Sequence, residues 1–210
     1  MAAVLPTKGN LILTKRSRAL AQTGFALMDR KRNILIREMM ALMDNAKQVQ
    51  DQIDRVFTEA YAALQSANIE LGICDQIAQA VGVDESLTLQ YRSVMGVELP
   101  HIPAVGSVPA PEYGFAYTSG ALDECYLKFH RVKECIRQMA EIETSIYRLA
   151  QAIKKTQKRA NALQNIVIPG FDSTVRLITD ALEEKEREEF VRLKVIKAFA
   201  AKKQPDTATE

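Results

Sequence analysis

The residues able to do covalent, acid–base or metal chemistry are few and poorly spaced for it. The two histidines are His101, in a proline-bearing stretch, and His130, among the charges of a helical stretch. Neither has a second histidine one turn away, and no HExxH exists, so both read as structural or solvated. The three cysteines are Cys74, Cys125 and Cys135, an odd number without a CxxC spacing. With His130 midway between Cys125 and Cys135, helical geometry scatters the three side chains around the axis. The thiols therefore read as reduced core residues of a cytoplasmic protein. Glu183, Glu184, Glu186, Glu188 and Glu189 crowd together, but alternate with Lys185 and Arg187 as a solvated helix flank does. The text Thr7-Lys8-Gly9 lacks the spacing of a phosphate-binding loop, and no GxGxxG occurs. The expectation is a chain with no catalytic residue, no cofactor and no metal.

The elements that carry these residues follow from composition. There is no Trp, aromatics are 6%, charged residues are 26%, and the formal net charge is +2 over 210 residues. Abundant Ala, Leu, Ile, Glu, Lys, Arg and Gln suit long helices with an apolar seam and solvated flanks. The near balance of charge argues against a nucleic-acid or membrane-surface role. No apolar stretch approaches the roughly 18 residues of a membrane span, so any membrane association should run through partner proteins. The N-terminus also lacks the pattern of a signal peptide.

Breakers sort the chain into parts. Most of the nine glycines and seven prolines fall between Gly82 and Gly120. A first helical arm is expected over 1–80, a loop-rich middle over 81–120, a second arm over 121–201 and a disordered tail over 202–210. In the first arm Leu42, Ala46, Val49, Ile53, Val56, Ala60, Ala63, Ala67, Leu71 and Cys74 recur at alternating steps of four and three. That is a coiled-coil seam. In the second arm Leu122, Cys125, Phe129, Val132, Ile136, Met139, Ile142, Ile146, Leu149, Ile153, Thr156, Ala160, Leu163 and Val167 form the matching stripe. Ser119 is placed to cap it. Pro169 should kink or briefly break the helix, because an interior proline removes a hydrogen bond and crowds the preceding turn. Gly24 reads as a site of close helix approach.

Each arm, at 1.5 Å per residue, would extend on the order of 100 Å, and neither can bury its stripe alone. Folding back as an antiparallel pair covers both. The fold class expected is mostly α, a long two-helix coiled-coil hairpin with a small β-ribbon at the connecting end. Within the middle, Leu87, Leu89 and Tyr91 share one parity, followed by Ser93 to Val97, and Tyr113 to Thr118 is a second β-prone run. These predict a two-stranded ribbon with a long proline-bearing loop between its strands.

Three blocks resemble a known family. The first is Pro6-Thr7-Lys8-Gly9-Asn10-Leu11 with Ala21-Gln22-Thr23-Gly24-Phe25-Ala26-Leu27-Met28-Asp29-Arg30-Lys31-Arg32. The second is Val94-Met95-Gly96-Val97 with Pro100, then Tyr113-Gly114 and Thr118-Ser119. The third is Arg159-Ala160-Asn161-Ala162-Leu163, Ile168-Pro169 and Leu182 through Lys194. In this order, over nearly the whole chain, they resemble the D subunit of V/A-type rotary ATPases. Asp29, Asn33 and Gln164 depart from residues frequent there.

The resemblance implies a non-catalytic central rotor shaft carrying torque between a catalytic ring and a membrane ion-translocating ring. It implies partners as well: the A and B subunits of the catalytic ring, the small F subunit of the stalk, and a socket subunit on the membrane rotor ring. Direct membrane insertion is not implied; the chain would be cytoplasmic and peripheral to the membrane through the complex. The two arm ends would sit inside the ring, which makes Arg30, Lys31, Arg32, Arg187, Arg192 and Lys194 candidate ring contacts. Periodicity by itself equally suits a generic coiled-coil scaffold or adaptor.

Overall fold

A computed structural model describes residues 5–82, 87–103, 110, 111 and 113–202. The expected tail over 202–210 and the proline-bearing loop over 104–109 lie outside the described residues, apart from Lys202 at a helix end.

Helix α1 runs Lys8–Leu71. Thr7 starts it, its hydroxyl accepting the Asn10 N–H at 3.2 Å and its carbonyl the Leu11 N–H at 3.0 Å. Gly72 stops it: with φ +80 it turns the chain out of the helix while its N–H bonds back to the Asn68 carbonyl at 3.0 Å. A one-turn helix α2, Asp75–Ala78, follows. Strands β1 (Gln90–Val94) and β2 (Val97–His101) form an antiparallel ribbon with Val94 opposite Val97 and Gln90 opposite His101. After a 3-10 turn at Phe115–Tyr117, helix α3 spans Gly120–Ala162. A five-residue π turn, Leu163–Val167, leads into helix α4, Ile168–Lys202.

These elements form two compact units, Lys31–Lys155 and the pieces 1–30 with 156–210. In the first unit α1 and α3 pack antiparallel, since Leu35 meets Leu149 while Ala63 and Ala67 meet Leu122 and Cys125. In the second, the start of α1 lies antiparallel to α4, with Lys8 paired to Glu186 and Arg18 to Asp172. Neither helix stripe could be buried alone; pairing covers both in the unit 31–155, and in the other unit it covers α4 only as far as Leu182. Of the expected stripe, Val132 and Leu149 are buried, and Val49, Ile53, Val56, Phe129, Ile146 and Ile153 are half-buried. Ile136 is a correction: it is 49% exposed, and Cys135 takes the packed position. The step from Val132 is three residues there, so the stripe swings one position toward the helix N-terminus.

Four other expectations change form. The ribbon does not sit at the connecting end of the hairpin: it folds back along the α1–α3 pair to Leu35 and Leu149, because that is where Leu99 finds an apolar slot, while Ala63, Ala67, Leu122 and Cys125 close the connecting end without it. The ribbon closes within the first β-prone run, through the two residues Met95 and Gly96, both at positive φ. Phe115–Tyr117 is a 3-10 turn and not a strand. A two-residue loop costs far less closure entropy than one crossing the proline-bearing stretch, and a primed turn matches strand twist. Pro100 fits because a two-stranded ribbon has only edge strands. Pro169 brings no break: the helical path continues, and the distortion falls in the π turn just before it. Ser119 caps α3 through its carbonyl, which accepts from Leu122 at 3.0 Å, while its buried hydroxyl has no hydrogen-bond partner among the described residues.

Candidate interaction surface

In the unit of residues 31–155 the ribbon is seated on the α1–α3 pair by one apolar peg and several polar clamps. Leu99, 2% exposed, enters between Leu35 and Leu149, with Val94 and Val97 beside it. Around the peg, Arg92 meets Glu38 at 2.6 Å on α1. On α3, Glu141 accepts from the Ile102 N–H at 2.9 Å and meets His101 Nδ1 at 3.0 Å. Arg137, paired with Glu134, donates to the Ile102 carbonyl, and Arg148 donates to the Glu98 carbonyl at 2.9 Å. Arg148 also stands 5.6 Å from the Tyr91 ring centre, a cation–π distance. A ribbon of two strands is marginal in water, so these contacts hold it.

A groove of about 370 Å³ runs beside the ribbon, lined by Tyr91, His101, Glu141 and Ser145 among others. Its histidine and carboxylate are engaged with each other and with backbone. That arrangement positions a strand end and leaves neither group directed at a reacting atom.

At the other end of this unit, Ala63, Ala67, Cys74, Tyr113, Leu122 and Cys125 form a second core. The Tyr113 hydroxyl donates to Asp123 at 2.6 Å. Burial, then that bond, push the Tyr113 hydroxyl well above its ordinary pKa. Burial likewise raises the thiols of Cys125 and Cys135, the condition of inert structural cysteines. Outside the core, Ile69 and Ile73 are 85% and 90% exposed. Among the described residues no group of three or more His, Cys, Asp or Glu gathers as a metal site. None of the described helices is long and apolar enough to cross a membrane.

In the unit of residues 1–30 with 156–210, Lys8 meets Glu186 at 2.9 Å, and this bond raises the lysine's pKa. Beyond Glu186 no described element covers helix α4. Every residue from Glu183 to Ala200 is exposed, including Phe190, Leu193, Ile196 and Phe199. Of the expected ring contacts on this segment, Arg187 lies 3.9 Å from Glu183 and 3.7 Å from Glu184. Arg192 lies 3.7 Å from Glu188, and Lys194 is exposed. Arg30 is exposed in the same unit, whereas Lys31 and Arg32 are half-buried in the other.

The ribbon clamps escape sequence reasoning. Glu38, Arg137 and Glu141 lie beside the apolar stripes of α1 and α3 and Arg92 lies on β1, and charge alone carries no register there. One signal is present: Met95-Gly96 between alternating runs marks a tight turn, and a turn there requires a docking face nearby.

The described residues thus form antiparallel helix pairs with an exposed helical tail and a clamped ribbon. Residues 10–198 match the family model for the D subunit of ATP synthase. The chain is 42% identical over 202 residues to the V-type ATP synthase D subunit of Thermotoga neapolitana, covering 95% of this chain and all of the relative. It is 36% identical over 201 residues to the A-type ATP synthase D subunit of Pyrococcus furiosus, covering 93% and 94%. A third relative, the A-type D subunit of Methanopyrus kandleri, is 36% identical over 205 residues, covering 95% and 88%. The chain belongs to the ATP synthase D-subunit family, whose members are components of rotary ATPase complexes.

Proposed function

We propose that this chain is the non-catalytic central rotor shaft of a V/A-type ATP synthase, passing torque between its catalytic ring and its membrane ring. The observation that carries this reading is the uncovered stretch Glu183–Ala200, a helix with Phe190, Leu193, Ile196 and Phe199 in the open. A helix with such a face is stable where something surrounds it. The cavity of the ring of A and B subunits supplies that surround. Arg30, Lys31, Arg32, Arg187, Arg192 and Lys194 then meet acidic ring loops in turn. Their exposed ion pairs are worth about 0–1 kcal/mol each, weak enough to be exchanged during rotation.

The small F subunit binds the middle of the α1–α3 pair. The exposed Ile69 and Ile73 mark the end that meets the socket subunit on the membrane ring. The chain is thereby cytoplasmic and peripheral to the membrane.

The test is a pull-down of the tagged chain from native membranes with mass spectrometry of its partners. Recovery of A, B and F subunits supports the shaft. Homo-oligomers without them would return the chain to the scaffold class. A companion variant, Arg187→Glu with Arg192→Glu and Lys194→Glu, should assemble normally and lower ATP turnover. Unchanged turnover removes these residues from the ring contact.

A further inference from the structure

We infer that the π turn Leu163–Val167 is a torsional joint, the place where twist imposed on the helix running from α3 into α4 is absorbed. This rests on the rotor reading above. The Ile168 N–H bonds to the Leu163 carbonyl, five residues back instead of four, so the turn holds one residue more than an α-helix would. Pro169 follows at once. It has no N–H to give, and in an unbroken α-helix its ring would press on the carbonyl one turn earlier. The widened turn relieves that clash, and the ladder through this point is short of a bond.

The surroundings leave the turn free to change its winding. None of its five residues is buried, and Ile166 is 67% exposed. Facing it on α1 is Gly24, which presents no side chain; a Cβ there would stand 3.9 Å from Leu163 Cδ1. The helix on either side is held. Thr156 and Ala160 are buried upstream, Ile178 is buried downstream, and Arg18 pairs with Asp172. A segment anchored at both ends and loose between them yields there first. One residue subtends about 100° of an α-helix, so winding the stored residue fractionally in or out turns α4 by a fraction of that angle. The neighbouring hydrogen bonds remain made.

The extra residue also dictates the test. Deleting Ile166 together with Pro169→Ala removes the stored residue and restores the missing donor, while every downstream residue keeps its face. In the wild-type full-length chain, amides of residues 164–168 should exchange about ten-fold faster or more than those of residues 148–152. In the variant this contrast should vanish. In the reconstituted complex, with the ring fixed and a bead on the opposite end of the shaft, the angular variance at rest should fall roughly two-fold. Should the deletion prevent folding, Pro169→Ala alone keeps the register and should narrow the exchange contrast. Equal protection in the wild type, or an unchanged variance in the variant, overturns the joint. A wild-type chain that never enters the complex overturns the rotor reading instead, and the joint then stands or falls on the exchange contrast.

Discussion

Leu99→Ala tests which force seats the ribbon. Leu99 is 2% exposed between Leu35 and Leu149, which are both fully buried. Truncating such a leucine costs about 2–5 kcal/mol, and about 3 is expected where the ribbon can partly collapse onto the gap. The Arg92–Glu38 ion pair and the His101–Glu141 hydrogen bond are partly exposed, with arginine and histidine side chains at 62% and 56%. Each is therefore worth about 1 kcal/mol at most. The peg outweighs either pair. Hydrogen exchange of the ribbon amides reads the difference directly, since about 3 kcal/mol corresponds to about 100-fold faster opening. Arg92→Ala should accelerate the same amides by less than about ten-fold. Helix amides of α1 distant from the ribbon should hardly change. If Arg92→Ala matches Leu99→Ala, or if Leu99→Ala leaves ribbon exchange untouched, the ribbon is held by polar clamps and the reasoning fails.

Other substitutions probe separate features. Met95 sits at φ +52 in the ribbon turn, a conformation asparagine tolerates better, so Met95→Asn should slow ribbon exchange by an amount corresponding to about 0.5–1 kcal/mol. Gly24→Ala should stabilise the chain to denaturant by up to about 1 kcal/mol, because the added methyl finds ordinary contact distance at 3.9 Å and helix propensity improves. Tyr113→Phe should cost about 1 kcal/mol near neutral pH through its lost bond to Asp123. Above the ordinary tyrosine value of 10.0 the unfolded chain releases this proton while the folded site keeps it, so wild-type stability falls as pH rises further. Denaturant midpoints at about pH 8 and about pH 11 should therefore converge between wild type and Tyr113→Phe.

The helix pairs are legible because a buried stripe must repeat with the helix. The run from Leu42 to Cys74 lies on the packed face, fully or half buried at every position. Ile136 misleads because one three-residue step looks like its neighbours in sequence, and only packing selects Cys135. Tyr113–Thr118 invites a second strand because its β-propensity is high. Chain closure favours the nearer partner, Val97–His101, despite Pro100. Pro169 announces a distortion, but not that the helix absorbs it by storing a residue upstream. The clamps joining His101 and Ile102 to Glu141 span some forty residues and have no periodicity, so no local pattern reveals them. Of the candidate ring contacts only the charges are readable from the chain; the structure adds that Arg187 and Arg192 lie on an uncovered helix.

Rotation inside the ring is tested most directly by locking it. A disulfide between Leu193→Cys and a cysteine placed on a facing loop of the catalytic ring should halt coupled ATP turnover, and a thiol reductant should restore it. Full turnover from complexes shown to be completely cross-linked would contradict the rotor account.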